Sequence, residues 1–226
     1  MRIGIIGAGR MGSALGNGWT RAGHEVLFSF SHDESKLLAV ATAAGSRARV
    51  GTPQEAATFG EVTLLAVPWP AIADALLAAG AGEGELQGRI LIDCTNPISP
   101  DKSRLLIGHT TSAAEEIARQ APGVRVVKAF NTIAAGSVTN PHCDGISASI
   151  FLCGDDPAAK AKVAGLISDL GFEPVDAGPL ASARLIEPLG LLRLRLASAL
   201  AAGPVLFKLL KTSSGPAPVI GSPAAT

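Results

Sequence analysis

Along the first 130 residues, short unbroken apolar runs alternate with segments whose apolar residues recur at helical spacing. The runs cover 2–6, 25–30, 47–50, 62–67, 89–93 and 124–129. They are continuous rather than alternating, as strands buried on both faces of a parallel sheet should be, and each parallel return needs a crossover helix. The spacing predicts those helices over 10–22, 33–44, 53–59, 70–79 and 111–120. Several ends are readable: Gly23 stands where a left-handed cap belongs, Pro53 follows Thr52 as a first helical residue follows its cap, and Ser112 precedes Glu115 in capping-box spacing.

After Ala129 the pattern predicts a strand at 148–153, a helix at 157–170 opened by Asp155 and Asp156, a strand at 172–175 and a long apolar helix from about Ser182. The expected fold class is α/β: a Rossmann-type, doubly wound parallel sheet with a small C-terminal α/β unit covering its cleft. The division is 1–130, 131–211 and a tail, 212–226, whose Ser, Gly, Pro and Ala offer few apolar anchors and point to disorder.

Composition narrows the chemistry. Of 226 residues 47% are hydrophobic and 17% charged, enough apolar material for a core. Nineteen basic and nineteen acidic residues give a net charge of +0, so no global field favours nucleic acid or an anionic membrane. Cys94, Cys143 and Cys153 lack the spacing of a disulfide framework or a metal site, which fits a reducing cytoplasm. Met1 and Arg2 run straight into a strand, which leaves no room for a signal peptide, and Glu187, Pro188, Arg193, Arg195 and Pro204 interrupt the most apolar late segment, so no membrane span is expected. Tyrosine is absent, which excludes a Tyr-x-x-x-Lys proton relay.

Gly7, Ala8, Gly9, Arg10, Met11 and Gly12 form G-x-G-x-x-G directly between a strand and a helix. In that context Gly7 permits the turn, Gly9 lets the backbone approach a pyrophosphate, Gly12 allows close packing, and the helix N-terminus attracts the phosphates. The second strand ends without the acid that would bind a ribose diol. Ser31 and His32, with Lys36 a turn later, suit a 2′-phosphate better, so the expected cofactor is NADP(H). Val67, Pro68 and Trp69 after the fourth strand, and Asn96 and Pro97 after the fifth, lie at the ligand edge of such a sheet and are candidate walls around ribose and nicotinamide.

With these residues in view the chain resembles the NADP oxidoreductase, coenzyme F420-dependent family from Met1 to about Leu210. The resemblance rests on Gly7 to Gly12; Ala66, Val67, Pro68 and Trp69; Lys128 to Ile133; Cys153 to Asp156; Val175 to Leu180; and Ala183, Arg184, Leu185, Glu187, Pro188 and Leu189. It implies hydride transfer between NADP(H) and a deazaflavin or flavin, such as coenzyme F420, a homodimer, and an acceptor pocket lined by Asn131, Thr132, Ile133, Pro179 and Leu180. The archaeal reductases that use F420 carry His in the position matched by Asn131 and Arg near that matched by His32. Direct hydride transfer between two stacked rings needs alignment and water exclusion more than an acid or base, so no catalytic triad or metal is expected.

Other residues read as structural: His109 and His142 as loop or capping residues, His24 as without a role, Asp155 and Asp176 as cap and turn residues, and Cys153 as core. Arg193 and Arg195 stand two apart, about 200° around a helix, so at most one can face a pocket while the other snorkels. Two alternatives remain: an imine or carbonyl reductase related to pyrroline-carboxylate reductase, which the short C-terminal region disfavours, and a non-enzymatic NADP(H)-binding redox sensor.

Overall fold

The structure, a computed structural model, describes residues 1–31, 33–201 and 203–211. His32 and the tail 212–226 lie outside the described residues. Strands β1 (Arg2–Ile6), β2 (Glu25–Ser29), β3 (Ala48–Val50), β4 (Val62–Leu65), β5 (Ile90–Asp93) and β6 (Arg125–Lys128) run parallel in the spatial order 3-2-1-4-5-6. The order reverses between β1 and β4, where a crevice opens at the C-terminal strand ends.

The C-terminal part joins the same sheet. After a small hairpin, β7 (His142–Cys143) and β8 (Ile146–Ser147), strand β9 (Ser149–Gly154) pairs antiparallel with β6, and β10 (Glu173–Asp176) pairs parallel with β9. The hairpin was not legible from apolar periodicity, being two residues per strand. Its signal is Asp144-Gly145, both at positive φ (50° and 77°), the two-residue turn that matches strand twist.

Helices α1 (Arg10–Arg21), α2 (Glu34–Ala44), α3 (Pro53–Phe59), α4 (Ile72–Ala78), α5 (Ala113–Gln120) and α6 (Pro157–Ser168) cover the two faces, and α7 (Ala183–Ala199) packs against α5. Because successive side chains leave a strand on opposite faces, Ile5, Phe28, Leu64 and Ile92 enter one core with Leu15 and Trp19 of α1. Ile6, Leu27, Leu65 and Leu91 enter the other with Leu76 of α4 and Ile117 of α5. Full burial of each such side chain contributes about 1.5–3 kcal/mol.

Several expected boundaries shorten for local reasons. Phe30 (φ 57°) and Phe130 (φ 64°) turn into the left-handed region just past β2 and β6, which ends the ladders early. Pro70 falls in a 3₁₀ turn, Trp69–Ala71, that leads into α4. Asp156, not Asp155, caps α6 by accepting from the Ala159 amide. No described helix is long and apolar enough to cross a membrane.

Candidate functional site

Strand β1 delivers the chain to Gly7, whose φ of 108° turns it back over the sheet edge. A Cβ on Gly7 would stand 2.5 Å from the Ala66 carbonyl oxygen, and one on Gly12 would stand 1.9 Å from the Gly7 carbonyl oxygen, so both sites are closed to side chains. Gly9 differs, since a Cβ there would meet nothing within 4 Å. Packing does not require a glycine at that position, whereas close approach by a ligand does. Helix α1 begins at Gly9 without a side-chain cap or an acid in its first turn. By contrast α2, α3, α5 and α6 are capped by Asp33, Thr52, Ser112 and Asp156, while α4 and α7, also without a side-chain cap, continue directly from 3₁₀ turns. Free amides and the partial positive charge of a helix N-terminus fit a pyrophosphate. Ala8 is buried and Arg10 exposed, while Met11 packs against the core.

At the end of β2, Ser31 Oγ donates to the Asp33 carbonyl (3.0 Å) and accepts from the Asp33 amide (3.2 Å). Asp33 accepts from the Ser35 hydroxyl and from the amides of Ser35 and Lys36. The Ser35 hydroxyl bond is the main cause that holds its carboxyl below the usual range. Lys36 is exposed on the first turn of α2, so Ser31 and Lys36 flank one open corner of the edge.

Across the switch point, Val67 packs over Gly7 and Trp69 starts the 3₁₀ turn behind exposed Pro68. Asn96 Nδ2 donates to the Asn131 carbonyl (2.9 Å), and Asn131 Nδ2 donates to Asn96 Oδ1 (3.1 Å) and to the Ile186 carbonyl (3.0 Å). Since both main-chain partners can only accept, these contacts fix the orientation of both amides. Asn131 Oδ1, Thr95 Oγ1 and Thr132 Oγ1 are buried without hydrogen-bond partners among the described residues. Pro97 is buried beside Asn96, and Ile133 shares a core with Ala8. Pro179 and Leu180 are not brought to this edge: Leu180 donates its amide to Asp155 Oδ1 (2.8 Å) and packs into the α4–α5 core.

Directly under Thr95 lies a cluster that motif reading left unassigned. Lys128 Nζ meets Asp93 Oδ2, Glu187 Oε1 and the Thr95 carbonyl, each at 2.8 Å, with side-chain exposures of 0%, 0% and 1% for Lys128, Asp93 and Glu187. Glu187 also accepts from the Ala113 and Ala114 amides (3.0 and 3.2 Å) at the start of α5. Burial pushes the Glu187 carboxyl up despite Lys128. Burial would lower Lys128, but the two carboxylates outweigh it and raise that ammonium. The available signals were an acid and a lysine closing two apolar strands and a glutamate inside an apolar helix.

A cavity of about 610 Å³ opens between α7 and the loop after β5. Pro188, Leu191 and Leu192 give it an apolar wall, Arg104, Arg184 and Arg195 give it cations, and His109 also lines it. Arg184 is held by a two-pronged pair with Glu115, which lowers the Glu115 carboxyl. Arg195 reaches the Ser103 carbonyl (2.6 Å). Arg193, half-buried, has an Nε without a partner among the described residues. His24 pairs with Asp169 at 2.9 Å, and His142 is exposed on the hairpin.

Residues 2–97 match the family described as NADP oxidoreductase, coenzyme F420-dependent. A crystal structure from Arthrobacter sp. FB24, provisionally assigned as an F420-dependent NADP-reductase, is 30% identical, covers 92% of this chain and 99% of its own, and superposes with a TM-score of 0.83. Metalloreductase STEAP3 of Rattus norvegicus is 34% identical over 190 residues, 84% of this chain but 36% of the rat protein. The chain thus spans about a third of that relative. An imine reductase from Myxococcus stipitatus in complex with NADP+ covers 89% of this chain and 63% of its own at a TM-score of 0.65, and at 19% identity it shares the fold.

Proposed function

Because the chain belongs to the NADP oxidoreductase, coenzyme F420-dependent family, we propose that it binds NADP(H) along the C-terminal edge of its sheet and exchanges hydride with a deazaflavin or flavin, such as coenzyme F420, held beside α7. Residues 1–130 hold the cofactor, and 131–211 supply the acceptor side together with the loop after β5. The observation that carries this reading is the uncapped N-terminus of α1 beneath Gly9, where a side chain would have room but none is present. Ser31, Lys36 and His32 receive the 2′-phosphate, and the Asn96–Asn131 pair, with Val67 and Trp69, walls the nicotinamide.

NADPH supplies a hydride, and the acceptor takes it together with a solvent proton. The residues of the chain align the two rings and keep water out. The cavity beside α7 suits a planar ring with an anionic tail, since its apolar wall faces Arg104 and Arg195.

A second reading, reduction of a metal chelate directly or through a flavin, is favoured by the match to a metalloreductase. Steady-state NADPH oxidation with F420, FAD, FMN, quinones and ferric chelates separates the two. Turnover with F420 supports the first, and turnover with ferric chelates, alone or with added flavin, but not with F420 supports the second; a free flavin serves both. Tight NADPH binding without turnover of any acceptor would leave a redox sensor. The enzyme works as a homodimer in this proposal: Leu185 of α7 and Leu200 at its C-cap are 75% and 63% exposed, and Leu192 at the rim of the cavity is 49% exposed. Sedimentation as a monomer at micromolar concentration would contradict it.

A further inference from the structure

The Lys128–Asp93–Glu187 cluster is sealed from solvent and reaches neither ligand edge with a free group. Stability is a weak reason for it, because replacing buried ion clusters by apolar residues is often neutral or stabilising. Its connections are more informative. Lys128 Nζ holds the Thr95 carbonyl and Asp93 Oδ1 accepts the Thr95 amide (2.8 Å), so this arm fixes the chain next to Asn96. Glu187 follows Ile186, whose carbonyl takes the Asn131 amide, and precedes Gly190, where a Cβ would meet Asn96 and Asn131. Its carboxylate also anchors on the first two amides of α5. The cofactor edge and α7 therefore share one ion pair.

We propose that Lys128 and Glu187 are positioning residues: Lys128 sets the Thr95–Asn96 segment, Glu187 sets α7, and the pair between them registers the acceptor side on the cofactor side. This rests on the reading of α7 as the acceptor-side helix. The two arms differ, so variants should separate them. In Glu187→Gln the Lys128–Thr95 arm stays intact while α7 loses its ionic anchor. NADPH affinity should hold within about twofold, the acceptor KM should rise about tenfold or more, and amides of α7 should exchange about tenfold faster while those of β1 and α1 do not change. Lys128→Met should weaken NADPH binding as well, and Lys128→Arg should restore part of it.

Three measurements on each folded variant decide the matter: a fluorescence titration with NADPH, the acceptor KM, and hydrogen exchange of the full chain. Unchanged exchange in α7, or NADPH affinity falling by the same factor as the acceptor KM rises in Glu187→Gln, would overturn the proposal. If the unmodified protein reduces none of the acceptors, the proposed function fails, while the exchange and titration results still decide whether the cluster registers α7.

Discussion

Gly190 of α7 backs onto Asn131 so closely that a Cβ at position 190 would stand 3.0 Å from Asn131 Nδ2 and 2.6 Å from Asn96 Oδ1. Within a helix, Gly→Ala ordinarily stabilises by about 1 kcal/mol. Here overpacking should outweigh that gain and cost about 1–3 kcal/mol, because the neighbours are locked by hydrogen bonds to main-chain carbonyls. Gly190→Ala should lower the chemical denaturation midpoint and reduce acceptor kcat/KM more than NADPH affinity. A raised midpoint would mean that α7 stands farther from the sheet.

The glycine loop makes a paired prediction. Gly9→Ala meets no atom within 4 Å, so the fold should keep its thermal midpoint while NADPH affinity falls about tenfold or more, as the methyl group occupies space reserved for phosphate. Gly12→Ala would press on the Gly7 carbonyl and should destabilise the whole domain. Calorimetric titration and thermal melts on both variants check this. Equal NADPH affinity for Gly9→Ala and the unmodified protein would remove the phosphate from that spot.

The cofactor half is legible because its signals are local. An apolar run ending at Gly7, followed by Gly9, Gly12 and a helix, reads directly as strand, turn and anion site. The acceptor side depends on pairings no window contains. Pro179 and Leu180 belong to a distinctive turn, but the antiparallel pairing of β9 with β6 carries that turn to the α5 side of the sheet, tied to Asp155 and away from Asn131. Lys128 and Asp93 lie 35 residues apart and meet only because β5 and β6 are neighbours. The outward course of Arg195 and the cavity it lines follow from the packing of α7, which composition leaves open.

Acid should act on the Arg184–Glu115 pair. The Arg184 guanidinium, first among its causes, holds the folded Glu115 carboxyl below the ordinary 4.5. A depressed folded pKa contributes stability that is present above the unfolded value and is lost as pH falls through the folded one. Arg184→Met should therefore be less stable than the unmodified protein at neutral pH, and the gap should narrow once pH drops below about 4.5. Urea denaturation at several pH values tests this, and a constant gap would show that the pair contributes nothing.

Thiol chemistry should be confined to one site. Burial pushes Cys94 and Cys153 each up to about 12, whereas Cys143 is exposed on the hairpin. Iodoacetamide at pH 8 should alkylate Cys143 in the native protein and all three cysteines after denaturation, as read by mass spectrometry. Rapid native labelling of Cys94 would mean that the sheet edge next to Thr95 opens readily.

The two arginines late in α7 should behave differently. They stand two residues apart, about 200° around the helix, and Arg195 lines the cavity while Arg193 does not. Arg195 gives one amino group to the Ser103 carbonyl and keeps further donors for a ligand, and Arg is suited to phosphate and carboxylate groups because it offers two parallel donors. Arg193 is half-buried and has no carboxylate partner among the described residues, and burial lowers its pKa. Its stem covers apolar surface, so its removal should register as lost packing. Met keeps the apolar volume of the stem and deletes the charge. Arg195→Met should raise KM for an acceptor with an anionic tail about tenfold and leave a neutral quinone unaffected, the size expected when a single charged hydrogen-bond partner is lost. Arg193→Met should leave both KM values in place. Identical kinetics for the two variants with both acceptors would show that the cavity beside α7 does not receive the anionic tail.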